Sequence, residues 1–163
     1  MPHGSRRLST RTASPEDPER PSLLPTNALV ALAWPNHQFH GLVVTRLEHE
    51  PVAPWATCAL TQLGFVRLSS NPSVVGRRET PADSVATLTA LTQDGQHRYL
   101  ELLPSLPSVR NRFHRLMGHN QVTDAYLLAL AATNGAVLLT LDRRIVPRGS
   151  VREHIDALVS DQF

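Results

Sequence analysis

The sequence predicts an α/β fold in which a central parallel sheet is flanked by helices. Three observations predict it. Short apolar runs that read as strands alternate with longer stretches that read as helices, a pattern that gives a parallel sheet covered on both faces. From Val122 to Asp142 a helical stretch leads directly into a buried strand. And 163 residues with 41% hydrophobic content suffice for one domain with a real core.

The stretch from Val122 to Asp142 organises the rest. Every residue from Ala125 to Ala132 is apolar or aromatic, and Ala and Leu, both good helix formers, dominate. Thr123 reads as the N-cap, so Asp124 sits in the first turn, where the helix dipole favours a negative charge. Asn134-Gly135 is a C-terminal stop signal. Ala136 to Leu141 is the near-continuous apolar run of a parallel strand, and it ends at Asp142. A helix antiparallel to the strand after it starts near the end where that strand finishes. Asp124 and Asp142 should therefore meet at the carboxyl edge of the sheet, where open α/β sheets bind ligands. Two carboxylates brought together repel unless a cation lies between them. An oxygen-rich, sulfur-free pair suits Mg²⁺ or Mn²⁺. Taken singly, each Asp reads as a helix cap or a turn residue; the pairing, with Thr140 two residues before Asp142, favours the metal site.

The other elements follow in order. Met1 to Pro21 is rich in Arg, Ser, Pro and Glu and has one Leu, so it reads as a disordered tail or as sequence added by an upstream start. The folded domain is expected over residues 22–163. Ser22 to Leu24 reads as a first strand, closed by Pro25. Asn27 can cap a short helix from Ala28 to Ala33, and a second helix follows at about Gln38 to His49. Pro51 to Cys58 contains a strand, and Ala59 to Ser69 is helical up to Asn71-Pro72. Pro72 to Arg78 reads as a loop. Thr80-Pro81-x-Asp83 is a helix start with a cap, a Pro in the first turn and an acid at the third position. Val85, Leu88 and Leu91 give that helix one apolar face. Tyr99 to Leu103 reads as a strand, Pro104 to Pro107 as a loop, and Val109 to Met117 as a basic helix carrying Arg110, Arg112, His114 and Arg115. Val151 to Val159 is either a last helix or a short strand.

Charge and composition narrow the function classes. Sixteen basic residues against fourteen acidic ones give a net charge of +2, too mild to indicate nucleic-acid binding by itself. All the basic residues are Arg, which suits bidentate phosphate contacts and equally reflects a GC-rich coding sequence. Cys58 is the only cysteine, so no intrachain disulfide forms, and it reads as a core residue. There is no secretory signal or membrane-length apolar run, so a cytoplasmic protein is expected. None of the eight histidines has zinc spacing, and there is no Gly-rich phosphate loop.

Several blocks resemble a known family. G-H-N-Q-V-T-D-A-Y-L-L-A-L-A followed by L-L-T-L-D-R is similar to the third and fourth motifs of PIN-domain ribonucleases, most of all the toxin half of bacterial VapBC toxin–antitoxin pairs. Trp55 to Pro72 looks like the second block of one VapC-type subgroup, and Ser22 to Trp34 resembles the first. The resemblance implies a PIN-like three-layer fold and a Mg²⁺-dependent endoribonuclease, with Mn²⁺ as a substitute. It also implies RNA and a VapB-type antitoxin as partners, and a homodimer. The family's carboxylates hold a metal that activates water and stabilises charge on the scissile phosphate. Asp124 and Asp142 carry over. The family's first acid is replaced by Pro25, and its second falls on Gln62 or Gly64, neither of them charged. Thr26 and Asn27 match the polar residues that follow the first acid; they are candidates, with Gln62 and Thr140, for positioning a water or phosphate, and Asn27 equally for capping. Arg110, Arg112, Arg115 and Arg143 are candidate RNA contacts or a solvated face. The expectation is a VapC-type endoribonuclease of reduced activity. The alternative is a PIN-fold module that binds antitoxin or RNA without cutting.

Overall fold

The computed structural model describes residues 20–49, 52–113, 118–141 and 155–157. Strands β1 (Ser22–Leu23), β2 (Trp55–Thr57), β3 (His97–Tyr99), β4 (Val137–Thr140) and β5 (Ile155–Ala157) form one sheet in the order β3-β2-β1-β4-β5. Every neighbouring pair is parallel, with Ser22 aligned to both Trp55 and Val137. From β1 the chain builds outward to one edge through β2 and β3, and β4 then returns to the other side of β1. The order therefore reverses between β1 and β4, and such a switch point, at the carboxyl ends of the strands, is where open α/β sheets bind ligands.

The helices are α1 (Thr26–Ala33), α2 (His40–Glu48), α3 (Ala59–Ser69), α4 (Pro72–Val75), α5 (Pro81–Thr92) and α6 (Val122–Thr133). They make two outer layers because strand side chains alternate between faces. Leu24, Leu139 and Leu141 join Leu29 of α1, Phe65 of α3 and Leu88 of α5 in one core. Leu23, Ala56 and Leu138 join Leu127 and Leu130 of α6 in the other. The expected three-layer α/β architecture is present.

Local chemistry explains most boundaries. The stop at Asn134-Gly135 operates as expected: Gly135 takes φ 65°, a left-handed conformation that costs glycine little. At α5, Thr80 and Asp83 cap each other reciprocally, with the Asp83 N–H donating to Thr80 Oγ1 at 3.1 Å and the Thr80 N–H to Asp83 Oδ2 at 2.9 Å. Other expectations are corrected. Helix α1 begins at Thr26, with Pro25 as its N-cap, so Asn27 lies inside the first turn and its Oδ1 accepts from the Ala28 N–H at 2.9 Å. Helix α6 begins at Val122 with Gln121 as N-cap, so Thr123 is not the cap. The presumed loop after Pro72 contains α4, capped by Asn71, whose side chain accepts from the Ser73 N–H, and closed by Gly76 at φ 71°. Val85 is 49% exposed and lies off the buried face of α5. Strand β3 lies earlier than Tyr99 to Leu103, because its partner Trp55–Thr57 pairs with His97–Tyr99. Of the expected basic helix, Val109 to Arg112 lie in 3₁₀ turns over Leu106–Arg112, with non-helical dihedrals at Val109, while residues 114–117 lie outside the described residues. Residues 155–157 settle the last alternative as a strand.

Residues 1–19 lie outside the described residues. The end of the expected tail takes part in the fold: Arg20 is 7% exposed and donates from Nη2 to the Ala136 carbonyl at 3.2 Å and from Nε to that of Gly135 at 3.3 Å. The Pro21 carbonyl accepts from the Val137 N–H at 3.0 Å. Arg20 and Pro21, assigned to the tail, thus bond to the turn before β4 and to β4 itself. Among the described residues no helix is long and apolar enough to cross a membrane.

Candidate active site

The candidate residues come from four segments that end or start at the carboxyl edge: the exit of β1, the start of α3, the start of α6 and the exit of β4. Pro25 is buried at the exit of β1, with φ −66° and ψ 164°, and its carbonyl takes the first hydrogen bond of α1 from the Leu29 N–H at 3.0 Å. It offers neither an N–H nor a side-chain donor atom. Thr26 follows, half-buried, and Asn27 is exposed.

The two residues of α3 matched to the second acidic position, Gln62 and Gly64, differ in their surroundings. A Cβ built on Gly64 would lie 2.9 Å from Thr26 Cγ2 and closer still to Oγ1. A side chain there would require Thr26 to shift. Gln62 is half-buried, and its Nε2 donates to Thr57 Oγ1 at 2.9 Å. Gln62 thus brings a polar side chain from α3 to the end of β2. Thr57 is itself fully buried and lies 2.9 Å from His97 Nε2. The His97 ring packs on Trp55 with centroids 4.6 Å apart, and the Trp55 indole donates to Asp94 Oδ2 at 2.9 Å. Burial is the main cause that lowers the His97 pKa; Asp94 opposes it and Arg98 adds to it. Asp94 is held below the usual carboxylate range first by the Gln96 backbone N–H, then by the Trp55 indole.

Asp124 occupies the first turn of α6, half-buried, as expected. The helix covers about 14 Å from Asp124 to Thr133, and the strand covers about 13 Å from Val137 to Leu141. The chain turns back between them, which brings Asp124 level with Leu141. Thr140, the last residue of β4, is 2% exposed. Asp142, Arg115 and Arg143 lie outside the described residues, and so does the side chain of Arg112. Arg110 is exposed on the 3₁₀ segment that packs against α6. Among the described residues no group of three His, Cys, Asp or Glu side chains could hold a metal ion. The described donors are nevertheless of one kind. Asp124, Thr26, Thr140 and Gln62 all carry oxygen atoms, the donor type of hard divalent cations. Sequence reasoning missed Thr57 and His97. The one signal for Thr57 was its place two residues after Trp55 on a strand, which gives both the same face.

The PIN domain model matches residues 23–148. The chain is 43% identical to ribonuclease VapC38 of Mycobacterium tuberculosis over 121 residues, which is 74% of this chain and 84% of that protein. It is 35% identical to ribonuclease VapC39 of the same organism over 130 residues, 79% of this chain and 94% of the relative. With ribonuclease VapC44 it shares 33% identity over 148 residues, 84% and 99% of the two chains. A parallel sheet in two helical layers, a first-turn acid on α6 beside the switch point, and these matches agree: the chain belongs to the PIN-domain family, as a ribonuclease toxin of the VapC type.

Proposed function

We propose that this chain is a Mg²⁺-dependent endoribonuclease whose metal lies between Asp124 and Asp142. The observation that carries the reading is the level of Asp124 on α6 with the exit of β4, beside the switch point between β1 and β4. Leu138 packs on the α6 side and Leu139 on the other. When bound, Mg²⁺ supplies an activated water and stabilises charge on the scissile phosphate. The protein's own part is to hold negative charge in fixed position with Asp124 and Asp142, and to orient water or phosphate with Thr26, Gln62 and Thr140. Asn27, exposed at the rim, is the weakest of the positioning candidates. Arg110, Arg112, Arg115 and Arg143 would contact RNA phosphates around the cleft.

A VapB-type antitoxin as partner, a homodimer and a cytoplasmic location belong to the same proposal. A second reading, a module that binds antitoxin or RNA without cutting, is favoured by the neutral side chains at Pro25 and Gln62. One experiment separates them. The parent and Asp124→Asn are titrated with Mn²⁺ by calorimetry and assayed on one RNA. The nuclease reading expects cleavage that falls at least about tenfold in the variant, together with weaker Mn²⁺ binding. No metal-dependent cleavage by the parent, with RNA still bound, would establish the binding module.

A further inference from the structure

The Thr57 hydroxyl joins two residues that nothing in the sequence connects. Gln62, five residues on, reaches it from α3, and His97, on the neighbouring strand, reaches it from the other side, each at 2.9 Å. A hydroxyl has one proton and two lone pairs. Gln62 donates through Nε2, so Thr57 accepts there, and its own proton is left for His97 Nε2. Were both neighbours to donate into its two lone pairs, the proton of this fully buried hydroxyl would find no acceptor among the described residues, so the polarity that also uses the Thr57 proton is favoured. The reverse order would require a proton on His97 Nε2, a donated Thr57 proton on the Gln62 oxygen, and a Gln62 amide group turned outward.

We propose that His97 is a positioning residue for Gln62: acting through Thr57, it ties down the amide nitrogen and leaves the side-chain carbonyl oxygen as the free end at the carboxyl edge of the sheet. The site thereby gains a neutral oxygen acceptor at the position where the family carries an acid. The role of that oxygen toward a cation or its water rests on the nuclease reading above; the polarity of the chain does not. The surroundings favour a neutral ring with an unprotonated Nε2. Thr57 is fully buried, and Trp55 packs on the His97 ring with centroids 4.6 Å apart. The charged groups that act on the ring are Asp94 and Arg98, of opposite sign, while burial disfavours the imidazolium most.

The same logic says what an acid at position 62 would do. A carboxylate cannot donate, so Thr57 would give its proton to it, and His97 Nε2 would have to donate instead. An amide at position 62 and an Nε2 acceptor at position 97 therefore belong together.

The test is nuclear magnetic resonance on the full chain with ¹⁵N-labelled histidine, with His97 assigned by His97→Gln. The expected result for the parent is a neutral ring with the proton on Nδ1. In Gln62→Glu the Nε2 signal should become that of a protonated nitrogen. In Thr57→Val, which keeps the shape and removes the hydroxyl, the tautomer should no longer be fixed. Mn²⁺ alone serves as the binding probe. Its affinity should fall about tenfold in Thr57→Val, as when a group supporting a ligand is lost, and a further His97→Phe change should add little. A parent with a protonated Nε2, or a His97 signal unmoved by Gln62→Glu, overturns the proposal. Mn²⁺ affinity unchanged in Thr57→Val overturns it too, since positioning would then have no consequence. A parent that binds no Mn²⁺ refutes the nuclease reading, and the tautomer still decides the positioning of Gln62.

Discussion

The backbone of Gly64 lies against the side chain of Thr26, so that α3 meets the first turn of α1 where a Cβ would not fit. This approach gives the carboxyl edge its shape. It sets Thr26 and α3 side by side, with Gln62 one half-turn before Gly64.

Gly64→Ala should therefore destabilise the protein even though Ala is the better helix former. Overpacking of this kind typically costs about 1–3 kcal/mol. Thr26→Gly alone should cost less, and the pair together should cost less than the sum, because the clash is removed. Urea denaturation of the four proteins measures the coupling. Additive losses would show that the two residues do not press on each other.

Pro25→Asp should raise metal affinity and RNA cleavage by at least about tenfold. Pro25 is the N-cap of α1 with extended dihedrals that Asp adopts readily, and Asp is among the preferred N-caps. The position is buried, so a carboxylate there is costly without a cation. Hence Mg²⁺ should raise the melting temperature of the variant more than that of the parent. A variant that cuts no faster, or whose gain survives Asp124→Asn, would refute the restoration.

Arg20 should matter more than its place in the expected tail suggests. It is buried and donates to the Gly135 and Ala136 carbonyls, and hydrogen bonds from a charged donor are typically worth about 1.5–3 kcal/mol. A chain starting at Ser22 should lose more than about 1 kcal/mol, while one starting at Arg20 should keep its stability. Equal unfolding midpoints for the two would assign these bonds no weight.

Thr80→Ala should cost about 1 kcal/mol at neutral pH, the usual value of an N-cap. The Thr80 side chain is the first cause, and its backbone N–H the second, of the lowered Asp83 pKa. A lowered carboxylate pKa stabilises the fold above the unfolded value of 3.8, and the contribution fades as pH falls through the lower folded value. The difference between parent and variant should thus shrink in acid. A gap that stays constant from neutral pH down to below that value would detach Asp83 from the cap.

Local chemistry made part of this protein legible from the sequence alone. Helix α3 runs over Ala59–Ser69 as read, because Asn71-Pro72 stops it. The α5 capping box, the Asn134-Gly135 turn and the first-turn location of Asp124 likewise depend on neighbours in the chain. The same local logic failed where a partner elsewhere decided the outcome. Strand β3 is His97–Tyr99 because β2 pairs there, and the basic stretch after Ser105 makes 3₁₀ turns against α6. Only the tertiary structure decided the strand order, and with it the switch point between β1 and β4. It alone crowded position 64, since that depends on Thr26 in another helix. It alone brought Arg20 onto the turn before β4 and His97 onto Thr57. Those contacts join residues 115 and 40 positions apart. Their energies depend on distance in space, and sequence periodicity carries no record of it.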